Sequence, residues 1–364
     1  MSKRVVFHVG LPKTGTTTIQ QYLRRQDDKL RSLGFLYPGP REHEALQSHK
    51  HPLMLNAMKG RATAPSGGLD LEGCRKVVAQ VFAAFRQSDL ENLIWSCEGM
   101  ALSAGNWDAD YLKQTLEGLD LRVVLFARYI DDWVESLIQQ RIRGRSGFRE
   151  RVSAVKPLRL VPPPPAEGAS KSHARSMLDR GAKIGGSLRV MRRLWPSAEI
   201  VVRSFDASRE KGTVVSDALA AMGVPAKDAF ADADEEAGVY NPTKSGLFSV
   251  LLYRLQAAAA DAEIINAVAA AAERRRDEGR EYKPFADRRF RFLSDENITR
   301  ARSYYEELRH DYADLPAQPP FASKPADRYL PKADGVAVLD WLRPDISDGV
   351  FDKARAAYPE DPQK

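Results

Sequence analysis

The chain reads as an α/β protein in which buried strands alternate with helices around a mostly parallel sheet, and three observations predict this. Residues 4–23 run from an apolar, β-branched segment through a glycine-bearing turn into a helical pattern. Further apolar runs of strand length recur at 93–97, 121–126 and 198–205, and helical spacing follows at 132–143 and 214–222. Finally, 364 residues at 43% hydrophobic content supply a sizeable core, while no apolar run reaches membrane-spanning length.

The first stretch is the most informative. Val5-Val6-Phe7-His8-Val9 has the composition of a buried strand. Gly10, Pro12 and Gly15 then force a turn, and Thr16, Thr17 and Thr18 lead into Ile19, Tyr22, Leu23, Gln26, Leu30 and Leu33, which keep helical spacing until Gly34 can cap the end. A strand, a glycine loop and a helix start in that order present backbone N–H groups and the positive end of a helix dipole to an anion. Gly10-Leu-Pro-Lys-Thr-Gly-Thr-Thr17 can be laid on the nucleotide-triphosphatase pattern G-x-x-x-x-G-K-[ST], but Thr16 stands where the lysine belongs. The lysine of this loop, Lys13, lies three residues earlier. A glycine turn with no ligand is the plain alternative.

The second signal is Leu121 to Ser136. An apolar strand through Val123 and Phe126 delivers Arg128 at its end, and Asp131 or Asp132 can start a helix that carries Ser136 on its second turn. Arginine offers a forked, permanent charge and serine a hydroxyl. Taken singly, either could be a surface group.

Together the loop and the Arg-then-Ser spacing resemble the sulfotransferases that use 3′-phosphoadenosine 5′-phosphosulfate (PAPS), in a bacterial-type form. The resemblance covers about residues 4–225. It implies a three-layer sandwich of the P-loop-like sulfotransferase fold. It also implies that Lys13 meets the bridging region of the phosphosulfate, that Lys13, Thr14, Gly15, Thr16 and Thr17 hold the 5′-phosphate, and that Arg128 and Ser136 hold the 3′-phosphate. The arginine-lysine-glycine loop of cytosolic members is absent in that order, and Arg209-Glu-Lys-Gly212 only approaches it.

Gly34 to Gly39 reads as a short strand closed by a Pro-Gly turn. Residues 41–70 read as a long loop containing His43, His49 and His51, and 71–88 as an amphipathic helix. The histidines do not have metal-ligand spacing, but one of them is a candidate base, because some branches of the family use a histidine. Leu93 to Gly99 reads as a strand with Glu98 at its carboxyl end, the ligand edge of a parallel sheet. Glu98 is therefore a candidate general base, with a metal ligand and a helix cap as the other readings.

Arg141 to Arg151 forms a basic run, Val161 to Pro165 begins a stiff linker or lid, and 176–195 resumes helical spacing. Asn241-Pro-Thr-Lys-Ser245 precedes a long helical stretch containing Ala257–Ala260 and Ala269–Ala272, and 274–291 carries an arginine cluster that suits an acidic acceptor or partner. The expected layout is an α/β domain over 1–313, with its PAPS core at 4–225 and a helical acceptor side at 226–313. A proline-rich tail at 314–364 would pack on the core or on the second subunit of a homodimer.

A net charge of +6 and a pI near 9.2 suit an anionic partner or a plain solvated surface. Nucleic acid is not expected, since zinc-finger spacing, RNP-type aromatics and a basic heptad region are lacking. Two cysteines, Cys74 and Cys97, are too few for a disulfide framework or a Cys-based metal site. Met-Ser-Lys-Arg leads straight into the first strand, so no signal peptide and a cytoplasmic location are expected. The activity expected is transfer of a sulfuryl group from PAPS to a hydroxyl or amine of a small molecule or glycan, with no metal. A P-loop kinase or NTPase, and a non-catalytic nucleotide-binding protein, are the alternatives.

Overall fold

A computed structural model describes residues 3–48, 51–60, 68–144, 184–225, 229–238, 246–257, 261–278, 280, 282, 295–318 and 332–359. The chain forms two compact units, each assembled from separated stretches. The first takes 1–130, 179–241 and 301–318, and the second takes 131–178, 242–300 and 319–364. These boundaries differ from the sequential division at 313/314, because segments distant in sequence close each core.

The first unit is built on a five-stranded sheet in which every described pairing is parallel. Its strands are β1 (Arg4–His8), β2 (Phe35–Leu36), β3 (Asn92–Ser96), β4 (Asp120–Ala127) and β5 (Glu199–Ser204). Their order is β2-β3-β1-β4-β5, so β1 sits at the centre, flanked by β3 and β4. Val5, Val6, Phe7 and His8 are completely buried, which explains a near-continuous apolar run rather than an alternating one.

Helices cover both faces. Val6, Ile94, Val124 and Phe126 pack with Ile19 and Leu23 of α1 (Thr16–Arg25). After α2 (Asp27–Ser32) the chain enters β2, and α3 (Pro52–Met58) and α4 (Leu71–Gln87) follow. Trp95 points to the opposite face and stacks on Phe82 of α4, with ring centroids 6.0 Å apart. Next come α5 (Ala109–Thr115) and, after α6 (Ile130–Gly144), whose residues from Asp131 on belong to the second unit, α7 (184–194), α8 (Phe205–Lys211), α9 (Val214–Met222) and α10 (Ala233–Ala237). Val215 and Leu219 of α9 join α1 on the first face. Each such large apolar side chain, fully buried, stabilises the fold by about 1.5–3 kcal/mol.

Three local differences from expectation have physical causes. The helix expected through Leu33 breaks at Gln26, whose side-chain amide donates to Glu236 Oε2 at 3.0 Å; Asp27 and Asp28 then favour a new helix start. The expected loop 41–70 contains α3, which is only seven residues long and is held by burying Leu53, Met54, Ala57 and Met58. Two turns carry too little periodicity to be seen in sequence. Arg209, Glu210 and Lys211 form the last turn of α8, and Gly212, at φ 71°, caps it.

The second unit is helical among the described residues: most of α6, α11 (Gly246–Ala257), α12 (Ala262–Asp277), α14 (Lys332–Leu342) and α15 (Asp348–Ala357), with part of α13 (Asp295–Asp311). Leu251, Leu255, Val268, Val338, Leu339 and Phe351 are its core. Gly335 lets Tyr358 approach so closely that a Cβ there would lie 2.0 Å from the ring. The segment expected as a tail thus contributes two helices to this core. Arg275 pairs with Asp345 and lies over the Trp341 ring at 4.8 Å, so this arginine of the 274–291 cluster is structural. Most of that cluster, like 145–183 with its proline run, lies outside the described residues.

Candidate functional site

The loop Gly10–Thr17 leaves the carboxyl end of the central strand, where open parallel sheets form their ligand crevice. It is pinned to both neighbours of β1. Val9 N–H donates to Val124 O at 3.0 Å and Gly99 N–H to Gly10 O at 3.0 Å. A Cβ at Gly10 would meet Thr16 Cγ2 at 2.2 Å, so the Thr16 side chain would have to shift. Within the turn, Thr14 Oγ1 donates to Leu11 O at 2.7 Å and is fully buried.

Lys13 has φ 68°, the one positive value at a non-glycine among the described residues. Left-handed backbone costs an L-residue roughly 1–2 kcal/mol, and such strain concentrates at ligand sites. Gly15, at φ 72°, hands the chain to α1. Phe205 and Val214 pack so closely on Gly15 that a Cβ would lie 3.1 Å and 2.9 Å from them. The start of α1 has no side-chain cap and no acidic residue in its first turn. That combination favours an anion at its N–H groups.

Glu98 lies just past β3 and is half-buried. Thr16 Oγ1 donates to Glu98 Oε1, so the carboxylate reaches the start of α1 beside the glycine loop. The helix-cap reading fails, because the following helical turns start at Ala104 and Ala109, and Asp108 caps the latter. For the metal-ligand reading, no group of three His, Cys, Asp or Glu side chains suited to an ion occurs among the described residues.

Arg128 ends β4 and is 8% exposed. Its Nη1 donates to Lys13 O at 3.1 Å, its Nε lies 3.7 Å from Asp206 Oδ1, and its guanidinium covers the Phe205 ring at 5.5 Å. The structure therefore brings Lys13, Thr14, Gly15, Thr16, Thr17, Glu98 and Arg128 to one sheet edge. Ser136 is half-buried on α6 and belongs to the second unit.

The histidine candidates separate clearly. His51 is fully buried, Ser96 N–H donates to its Nδ1 at 3.0 Å, and its Nε2 donates to Pro38 O at 3.0 Å. With both ring nitrogens committed to backbone, it ties Pro38 to β3 and does not serve as a base. His43 Nδ1 accepts from Ala45 N–H at 3.0 Å within its own turn. His49 lies outside the described residues.

Two features escaped the sequence reading. Under the loop, buried His8 meets Ser96 Oγ at 2.7 Å, and Gln20 Nε2 donates to the same oxygen at 3.0 Å. Burial pushes the His8 imidazole down to about 4, which keeps it neutral. The other feature is Asp206, at the carboxyl end of β5. Its position past a strand end was the available signal, and its partners are distant in sequence.

No protein-family model, curated protein or solved structure matches the chain. Among the described residues, no helix is long and apolar enough to cross a membrane.

Proposed function

We propose that this protein is a cytoplasmic sulfotransferase that moves a sulfuryl group from PAPS to a hydroxyl or amine of a small molecule or glycan, leaving 3′-phosphoadenosine 5′-phosphate (PAP). The observation that carries the reading is the loop: an uncapped helix start, Thr16 where a triphosphatase lysine would stand, and Lys13 set in a left-handed turn. A lysine inside the loop suits charge on a leaving 5′-phosphate better than it suits the γ-phosphate of a nucleoside triphosphate.

In-line sulfuryl transfer, by analogy with phosphoryl transfer, breaks the bond from sulfur to the phosphate oxygen as the acceptor oxygen attacks. Lys13 offsets the charge left on the phosphate, a contribution of about 3–4 kcal/mol for one such donor. Thr14, Gly15, Thr16 and Thr17 hold the 5′-phosphate. Glu98, hydrogen-bonded to Thr16, takes the acceptor's proton. Arg128 holds the 3′-phosphate; Ser136, which the resemblance pairs with it, lies in the second unit.

The test is a thermal-shift comparison followed by labelled PAPS. PAP without Mg²⁺ should raise the melting temperature, and ATP with Mg²⁺ should not. The reverse result would make the protein a kinase or NTPase, and a response to PAP with no transfer to any acceptor class would make it a binding protein.

A further inference from the structure

We infer that Asp206 is a positioning residue for the phosphate loop, acting through Arg128 on the backbone of Lys13. The conformational part of this stands alone, and only its effect on turnover rests on the proposed sulfuryl transfer.

Asp206 is 4% exposed in the first turn of α8. Its Oδ2 accepts from Tyr129 N–H at 2.8 Å, directly beside Arg128 in the chain. Its Oδ1 lies 3.7 Å from Arg128 Nε and 3.2 Å from Arg209 Nη2. Arg209 is 46% exposed along its side chain, so the buried member of this cationic pair is Arg128. A buried guanidinium needs a counter-charge to hold one orientation, and Asp206 supplies it. The Nη1 of that oriented fork donates to Lys13 O at 3.1 Å.

The carbonyl so held belongs to the residue in the left-handed conformation. Backbone of that kind persists where its surroundings over-determine it. Phe205, the neighbour of Asp206, packs on Gly15 two residues further along the same loop. Residues 205 and 206 therefore brace the loop at both bends, one by apolar contact and one through the Asp206–Arg128–Lys13 chain. Losing that chain lets Lys13 relax toward ordinary backbone and swings its side chain away from the reacting phosphate. A displacement on the order of 1 Å costs about 10²-fold in rate.

Amide hydrogen exchange on the ligand-free, full-length protein tests this. Asp206→Asn retains an acceptor for Tyr129 N–H and removes the charge. We expect exchange across residues 10–16 to accelerate by about tenfold or more, while strands 4–8 and 120–127 keep their protection. Arg128→Met should do the same, and the double variant should exchange no faster than the faster single one, because both lie on one path. In Asp206→Asn, kcat should fall by about 10²-fold, while PAP, whose 3′-phosphate rests on Arg128, should weaken by no more than it does in Arg128→Ala. Unchanged loop exchange in Asp206→Asn, or effects that multiply in the double variant, would overturn the inference. If a single variant fails to fold, the double variant leaves neither charge unpaired and carries the comparison alone. Fast loop exchange in it supports the inference, and wild-type exchange overturns it. Accelerated exchange in a protein that proves inert toward PAPS would remove the sulfotransferase reading and leave this role standing.

Discussion

Replacing Lys13 by glycine and, separately, by alanine should divide backbone strain from chemistry. Lys13 sits at φ 68°, a conformation that costs an L-residue roughly 1–2 kcal/mol and glycine almost nothing. Glycine loses more freedom on folding, roughly 0.5–1 kcal/mol, so Lys13→Gly should match or exceed the wild type in stability by up to about 1.5 kcal/mol. Alanine keeps the left-handed penalty and should leave stability unchanged. The hydrogen bond from Arg128 ends on the Lys13 carbonyl and survives in both variants. Transfer should fall by about 10²–10³ in both, since each lacks the ammonium, with PAP affinity within about tenfold. Denaturant unfolding and initial rates with labelled PAPS read the two effects separately. A Lys13→Gly protein less stable than Lys13→Ala would refute the strain argument, and near-normal turnover in either would refute the role of the lysine.

Three further outcomes follow from the same geometry. Glu98→Gln should lower the rate by about 10²–10⁴ at nearly constant PAP affinity, whereas His51→Ala should cost about 1–3 kcal/mol of stability by orphaning Ser96 N–H and Pro38 O; rates and melting temperatures measured together would expose the opposite pattern. Arg128→Ala should weaken PAP by about 1.5–3 kcal/mol, Ser136→Ala should weaken it less, and neither should much alter a ligand without the 3′-phosphate; equal losses for both ligands would break that assignment. His8 titrates near 4 in the fold against about 6.5 unfolded, so below pH 6.5 the unfolded chain binds the extra proton and stability falls as pH drops toward 4. Unfolding free energies of the wild type and of His8→Gln across that window should show a flatter profile in the variant, and parallel profiles would argue that His8 is not the group.

The alternation of strands and helices was legible in sequence because it rests on short-range periodicity, and β1, β3, β4 and β5 emerge close to their apolar runs. The turn from β1 into α1 was equally legible, since a glycine turn between a strand and a helix start is a local object. Glu98 could be placed at a strand end, and the parallel pairing of β1 with β3 put it on the ligand edge. Its bond to Thr16 spans 82 residues of sequence, however, and no local pattern records it. For the same reason His51 looked like a candidate base until its two ring nitrogens were found on backbone atoms of Ser96 and Pro38. Sequence by itself determined which residues could form a strand, a turn and an anion-receptive helix start, because those choices depend on neighbours along the chain. Tertiary structure alone decided which charges oppose one another. Asp206 meets Arg128, and Arg128 meets Lys13, across separations that only the closed sheet brings within reach.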